Sequence, residues 1–265
     1  MKHTTLKFAT SLLMAGAAQA AVVYQDNFDN DGLGTNAGTG GGASSTNLNG
    51  GANWSDNGNA VYNNSGTQFG NAALLYSTSS FQSTAGFELT VTYYTDDISN
   101  SGRNLLSFGL LESASTYTTS SNPFVETSAG STYGIGANVI FHNNTSQTRG
   151  LWASTGTSDK TLLDASGTNQ EFIASANTPV TIRLTPDGLG GGDWSYSING
   201  VQEATGNIAV FDFSKSFNFV AYGQDNEATK RINAVTLTAI PEPSSLALLG
   251  LGACGLLAIR RRPRG

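Results

Sequence analysis

The stretch Phe87-Glu-Leu-Thr-Val-Thr-Tyr-Tyr94 decides the fold that we predict for this chain. Apolar and polar residues alternate along it. Because successive side chains of a β-strand point to opposite faces, this alternation is typical of a strand with one buried face. The buried face would carry Phe87, Leu89, Val91 and Tyr93, and the exposed face Glu88, Thr90 and Thr92.

Short runs of the same kind recur between residues 21 and 240, separated by Gly, Ser, Thr and Asn. We predict strands at 22–24, 72–76, 87–94, 104–111, 133–141, 150–153, 160–163, 180–185, 194–198, 217–222 and 232–238. Asn199-Gly200 predicts a tight hairpin, because both residues tolerate positive φ. No window before Pro243 has sustained helical spacing, so a parallel sheet would lack its crossover helices. The sequence therefore predicts an all-β protein, an antiparallel β-sandwich or jelly roll.

The end of the chain has a different composition, with three parts in a fixed order. Pro241-Glu242-Pro243 is followed by an uncharged apolar run at 246–259 and then by Arg260, Arg261, Arg262 and Arg264. We predict a short hydrophobic helix, crossing the membrane over about 244–259. The 14 apolar residues would span about 21 Å as a helix, less than a hydrocarbon core of about 30 Å, so the anchor would be marginal. The arginines predict that this end faces the cytoplasm.

This order resembles the PEP-CTERM sorting tail of Gram-negative bacterial surface proteins. The resemblance implies that an exosortase cuts near Pro241, Glu242 and Pro243, with Arg260, Arg261 and Arg262 completing the sorting signal. It also implies a protein held briefly in the inner membrane and then passed to the cell surface or the medium. A plain single-span anchor is the alternative.

The N-terminus is typical of a secretory signal peptide. Lys2 and Lys7 precede a short apolar segment at 8–18, and Ala18-Gln-Ala20 is the small-x-small pattern that signal peptidase reads. We predict a signal helix at 1–20 with cleavage between Ala20 and Ala21. A buried N-terminal helix is the alternative. The predicted domains are thus the signal peptide at 1–20, the β-sandwich body at 21–240 and the sorting tail at 241–265.

Charge and cysteine content exclude several functions for the body. The chain has 13 Lys and Arg against 19 Asp and Glu, a net charge of −6, and six of the basic residues lie in its two end segments. An acidic body without a basic stripe makes nucleic acid an improbable partner. The single cysteine, Cys254, lies in the tail, so the body forms no disulfide and performs no thiol catalysis.

A second resemblance concerns the body. Four segments of the body follow one another in an order similar to that of concanavalin A-like lectins and glucanases. They are Phe28-Asp-Asn-Asp-Gly32, Ile182-Arg-Leu184, the hairpin from Trp194 to Gly200 and the closing strand from Ile232 to Leu237. The resemblance implies a concanavalin A-like sandwich. The closing strand reads Ile232-Asn-Ala-Val235 where that family often has Phe-Asp-Asn-Val, so no metal role carries over there. A fold alone implies no function.

The body offers no recognisable catalytic motif. His142 is its only histidine, no Gly-x-Ser-x-Gly elbow accompanies it, and zinc would need more ligands. No glutamate begins the Glu-x-Asp-x-x-Glu pattern of retaining glucanases. Carboxylates distant in sequence can still meet in space. We predict a non-catalytic protein, with a polysaccharide-active enzyme, a glycoside hydrolase or lyase, as the alternative.

Two weaker patterns point to ligands. Asn27, Asp29 and Asp31 match the start of a calcium-binding loop, although the twelfth position is Gly38 rather than Glu. We favour an Asx-rich turn here, and calcium is the ion we expect if these residues bind one.

Trp54 and Trp152 lie in polar surroundings where a ring could stack on a sugar, although such aromatics are more often core or rim residues. We assign Trp194 to the core. The sequence thus predicts an exported surface or extracellular-matrix protein that binds glycan or exopolysaccharide, with a purely structural, ligand-free surface protein as the alternative.

Overall fold

The computed structural model describes residues 20–26, 54–56, 60–63, 66–69, 73–95, 105–113, 123–124, 132–140, 150–157, 160–164, 177–224 and 230–241. All regular secondary structure within these ranges is β. The strands are β1 (Ala21–Asp26), β2 (Trp54–Asp56), β3 (Ala60–Asn63), β4 (Gly66–Phe69), β5 (Ala73–Ser77), β6 (Phe87–Thr95), β7 (Leu105–Glu112), β8 (Tyr133–Ile140), β9 (Gly150–Thr155), β10 (Lys160–Asp164), β11 (Thr178–Pro186), β12 (Gly192–Ile198), β13 (Val201–Ile208), β14 (Phe217–Gln224) and β15 (Lys230–Ala239).

Every described strand belongs to one compact unit, Ala21–Ile240. Residues 1–20 and 241–265 are grouped in a second unit, of which the structure describes only Ala20 and Pro241. Among the described residues no helix is long and apolar enough to span a bilayer. The predicted membrane helix at 244–259 and the signal helix lie outside the described residues, so both stay predictions, as do the domain limits.

The strands form two antiparallel sheets. Sheet A has the order β13-β12-β11-β6-β15-β4-β3, with β1 also paired to β15. Sheet B has the order β10-β9-β8-β7-β14-β5-β2. Their facing sides enclose one core, which contains residues from both sheets, among them Val91, Ile182 and Leu237 of sheet A and Phe108 and Phe219 of sheet B. The predicted all-β sandwich is confirmed.

Sheet A has one buried face, as the alternating sequence predicts. Phe87, Leu89, Val91 and Tyr93 of β6 are buried, while the residues between them are partly exposed. β6 pairs with β11 on one side and β15 on the other, so that Thr90 lies beside Thr181 and Thr236. The Thr90 and Thr181 hydroxyls are 2.9 Å apart. The outer face of sheet A therefore carries rows of threonine hydroxyl groups that run across neighbouring strands.

Sheet B is different because its central strands, β8, β7 and β14, are buried on both faces. Leu106, Phe108 and Leu110 of β7 point into the main core. Leu111, together with Val220 and Tyr222 of β14, belongs to a second cluster on the outer face. Burial on both faces explains why these strands read as nearly continuous apolar runs rather than alternating ones.

Phe124 fits against two glycines on the outer face of sheet B. Gly109 and Gly136 are register partners on β7 and β8. A Cβ atom on Gly136 would lie 2.5 Å from the Phe124 ring and 2.7 Å from the carbonyl oxygen of Phe108. The absence of two side chains thus makes the space that the ring occupies.

One end of the sandwich is closed by phenylalanines. Phe211 and Phe217 stack at 5.5 Å, and Phe81 meets the edge of Phe87 at 5.7 Å. Phe81 and Phe217 also exchange two backbone hydrogen bonds of 2.8 Å, which bind the connection between β5 and β6 to sheet B.

The predicted strands agree with the observed ones to within two residues. Trp194 is 6% exposed and belongs to the core, as predicted. The sequence patterns missed β2, β3 and β4, which have only three or four residues each.

Replacing Gly136 with alanine should strain the Phe124 contact. Because the new methyl group would overlap the ring and a backbone oxygen, we expect a loss of about 1–3 kcal/mol and a melting temperature lower by about 3–10 °C. Thermal melting of Gly136→Ala, Phe124→Leu and the double variant checks this. A double variant less destabilised than the sum of the single ones supports the account, and strict additivity would contradict it.

Candidate functional site

The candidate site begins with the hairpin between β12 and β13. Asn199 has φ 53° and Gly200 has φ 78°, the positive values that a two-residue hairpin of this kind requires. The predicted Asn-Gly turn is confirmed. A bulge follows on β13, where Tyr196 faces Ala204 but Ser197 faces Gln202, so Glu203 is an extra residue. Such bulges bend and twist a strand at the edge of a sheet.

A shallow groove of about 600 Å³ runs over the outer face of sheet A beside this bulge. Its lining comes from β11, β12 and β13 and consists of Arg183, Thr185, Asp193, Trp194, Ser195, Gln202, Thr205 and Gly206. Register partners bring these residues together, because Ser195 faces both Arg183 and Thr205. The buried side chains between them, such as Leu184, hold the opposite face of each strand in the core.

Arg183 is the cation of the groove. Its side chain is 51% exposed, and that of Glu88 is 42% exposed. A guanidinium nitrogen of Arg183 lies 3.8 Å from Oε2 of Glu88. That distance is too long for a hydrogen bond, so the contact is an open ion pair in solvent. Exposed pairs of this kind contribute little to stability, so Arg183 keeps its donors available.

Two carboxylates lie close together beside the groove. Nδ2 of Asn207 donates hydrogen bonds of 3.0 Å to Oδ2 of Asp187 and to Oδ1 of Asp193. The two oxygens are therefore no more than about 6 Å apart, a separation at which carboxylate pairs hydrolyse glycosides.

Asp187 also organises the turn between β11 and β12. Its Oδ1 accepts hydrogen bonds from the backbone N–H of Leu189 at 2.7 Å and of Gly191 at 3.0 Å. The Asn207 amide, and then the Leu189 N–H, hold the pKa of the Asp187 carboxyl below its usual value. Asp187 therefore ionises more readily than an ordinary aspartate, which suits a nucleophile or base rather than the general acid of a glycosidase.

A second polar cluster lies on sheet B and is structural. Nζ of Lys160 donates to Oγ of Ser154 at 3.1 Å, and the Ser154 hydroxyl donates to the carbonyl oxygen of Thr132. Burial lowers the pKa of Lys160. A serine nucleophile must pass its proton to the base, but here the proton points to a backbone carbonyl. The cluster joins β8, β9 and β10 rather than forming a nucleophile–base pair.

The groove therefore presents polar groups suited to binding. Ser195, Thr205 and Gln202 offer hydroxyl and amide groups that both donate and accept hydrogen bonds. With Arg183 and Asp193 they present donors and acceptors along one open surface. Such a surface is complementary to a ligand with many hydroxyl groups.

The predicted glycan-binding tryptophans belong to sheet B, not to this groove. Trp152 is half-buried on β9, where its register partners are Gly136 and Leu162. Trp54 lies in β2, at the far edge of the same sheet, and its side chain is outside the described residues. Five strand spacings, about 24 Å, separate the two strands, so the structure does not bring the two residues together. Their glycan role stays a prediction.

The predicted calcium residues Asn27, Asp29 and Asp31 lie outside the described residues, as does His142. The described Asp26 directly precedes the first three and is fully buried at the end of β1. No group of three or more His, Cys, Asp or Glu side chains in the described part of the chain could hold a metal. Calcium binding stays a prediction.

Of the predicted processing residues the structure describes Ala20 and Ala21, both exposed, and the half-buried Pro241. Ala18, Glu242, Pro243 and the terminal arginines lie outside the described residues.

Sequence reasoning missed the groove. Its residues come from three strands, and only the strand register brings them together. The available signal was Arg183, a basic residue at an outward position of an otherwise Thr-rich strand.

The comparisons with known proteins agree with this fold. The chain carries a PEP-CTERM protein-sorting motif, matched at residues 239–262, which confirms the resemblance of the tail. The body has a concanavalin A-like, legume-lectin-like fold, also as predicted. A comparison with curated protein sequences finds no match.

Among solved structures, the chain is similar to the carbohydrate recognition domain of Emp46p in its potassium-bound form. The identity is 11% over 69% of this chain and 87% of that chain, with a TM-score of 0.52. A point mutant of the same domain gives 10% identity, the same coverage and a TM-score of 0.51. Lectin I-B4 from Griffonia simplicifolia, in metal-free form, gives 11% identity over 71% of this chain and 93% of that chain, with a TM-score of 0.48. At such low identities the likeness shows the fold alone.

The Asp187 turn should make stability depend on pH. Because its folded pKa is lowered, Asp187 stabilises the fold above the unfolded aspartate pKa of about 4 and loses that contribution as pH falls through the folded value. Melting of the wild type and Asp187→Ala should differ at pH 7, and the difference should shrink below about pH 4. Thr205→Ala, without a titratable group, is the control. A difference for Asp187→Ala that is constant from pH 7 to about pH 2 would refute the role.

Proposed function

We propose that this protein is exported and binds glycan at the cell surface or in the extracellular matrix, without catalysis. The observation that carries the proposal is the polar groove on the outer face of sheet A, where hydroxyl, amide and charged side chains from three strands share one open surface. The body supplies the binding surface, and the sorting motif supplies the export route.

The size and openness of the groove suit a segment of a sugar chain. Its volume of about 600 Å³ lies within the range of about 300–1,000 Å³ for small-ligand sites. A polymer must enter and leave a site at both ends, which the flat face of a sheet permits. The fold gives independent support, because Emp46p, whose domain has a similar fold, has a carbohydrate recognition domain.

Export and processing follow from the tail. An exosortase-type enzyme would process the chain near Pro241-Glu242-Pro243 after transient anchoring in the inner membrane of a Gram-negative cell. Signal peptidase would cut after Ala20. The body would then act at the surface or in extracellular polymer.

Calcium at Asn27, Asp29 and Asp31, which follow β1 in the sequence, would add to this function. The similar domain of Emp46p was solved with bound potassium, so a cation is compatible with this fold. Trp54 and Trp152 would form further contacts on sheet B.

A polysaccharide-active enzyme is the second candidate, and the Asp187–Asp193 pair is the observation that favours it. The lowered pKa of Asp187 suits the nucleophile or base of such a pair, so Asp193 would have to supply the general acid. Reducing-end assays on polysaccharides, with Asp193→Asn as the control, separate the two.

Filling the groove should abolish binding without unfolding the protein. Ser195 points outward at the centre of the three strands, so we expect Ser195→Tyr to weaken glycan binding at least tenfold, about 1.4 kcal/mol, by occupying the space. Thr238→Tyr is the matched control, because Thr238 lies on the same face beside Glu88 but outside the groove lining. Glycan-array screening followed by calorimetry measures both. Equal binding by the two variants would remove the groove from the function.

Intact-mass spectrometry of the protein isolated from a bacterium that makes an exosortase tests the export route. We expect a chain that begins at Ala21 and ends near Pro243. A chain that still ends at Gly265 would support the plain membrane anchor.

A further inference from the structure

The groove has opposite charges at two positions along β11 and β12. Arg183 faces Ser195, and Asp193 lies two residues further along β12, about 7 Å away in an extended strand. Arg183 is the one basic residue of the groove lining, and Asp193 is the one acidic residue. A bound sugar chain would therefore meet a cation and then an anion.

Arg183 already has an ion-pair partner within the protein. Its ion-pair partner, Glu88, lies on the neighbouring strand β6 and is not part of the groove lining. The 3.8 Å separation leaves the guanidinium without a carboxylate hydrogen bond. An arginine fork binds a carboxylate with two parallel hydrogen bonds, a stronger arrangement than this open pair. A carboxylate in the groove could therefore take the guanidinium from Glu88 at small cost.

We propose that the groove selects glycans carrying a uronic acid, and that Arg183 binds the carboxylate of that sugar. This inference rests on the proposed function. Asp193 limits the choice, because a second carboxylate on the next sugar would be placed near it and near Asp187 and would be repelled. The ligand class is thus a glycan in which uronic acid residues are separated by neutral sugars.

Glu88 then acts as a competitor of the ligand. Since both Glu88 and the uronate are partners for one guanidinium, removing the charge of Glu88 frees Arg183. Removing a carboxylate near an anionic ligand would by itself raise the affinity, so the gain has to disappear when Glu88→Gln is combined with Arg183→Gln. A gain that depends on Arg183 distinguishes a ligand-binding arginine from one that only holds β6 and β11 together.

The experiment uses the full protein and a matched pair of probes. One probe is a tetrasaccharide of alternating glucuronic acid and N-acetylglucosamine, and the other is the same molecule with its carboxyl groups reduced to alcohols. Isothermal calorimetry at low salt compares the wild type with Arg183→Gln, Arg183→Lys, Glu88→Gln and the double variant that combines Glu88→Gln with Arg183→Gln. Thermal melting checks that each variant is folded, which we expect because both side chains are exposed.

The wild type should bind the acidic probe about tenfold more tightly than the reduced one. Arg183→Gln should remove this preference, and Arg183→Lys should keep only part of it, since an ammonium lacks the planar fork. Glu88→Gln should increase the preference severalfold, and added salt should reduce it.

Three possible failures have different meanings. Equal affinity of the wild type for both probes, unchanged in Arg183→Gln, would overturn this inference and leave glycan binding at the groove intact. If neither probe binds the wild type, this inference is overturned as well. If no glycan binds the wild type more tightly than Ser195→Tyr, the proposed function is overturned.

Discussion

The burial of one face of β6 against sheet B determines where the polar side chains of sheet A lie. Phe87, Leu89, Val91 and Tyr93 fill the main core, so β6 cannot slip by one residue without exposing all four. β11 pairs with β6 along seven consecutive positions, and β12 pairs with β11 along another seven. The burial of β6 therefore fixes the register of β11, and β11 in turn fixes the register of β12, which lines the groove.

The same constraint gives the groove its chemistry. Leu184 and Trp194 point into the core, so Arg183, Ser195 and Thr205 must point outward. The Asn199-Gly200 turn and the bulge at Glu203 then bend β13 at the free edge of the sheet. The backbone positions of residues that are scattered in sequence are therefore fixed by the strand register, which reduces the entropy lost when a ligand binds.

The two sheets differ because they are covered differently. Sheet A is polar outside, and its strands alternate. Sheet B carries Leu111, Val220 and Tyr222 on its outer face beneath Phe124, and its strands read as apolar runs. The alternation of β6 and β11 was therefore enough to predict their strands and their exposed faces from sequence. The run in β7 predicted a strand but not the second cluster, since an apolar run does not show which element covers it. The groove required the register of β11, β12 and β13, which no local pattern contains. The strands β2 to β4, of three or four residues each, were too short to detect.

Hydrogen–deuterium exchange of the protein, with and without a saturating uronate-containing oligosaccharide, tests the central claim most directly. If the glycan lies in the groove on sheet A, exchange should slow in Gly192–Ile198 and Val201–Ile208, because β13 is an edge strand whose amides open readily. The strands of sheet B should be unchanged. Protection confined to the strand of Trp152 and its neighbours in sheet B would place the ligand on the other sheet and contradict the account.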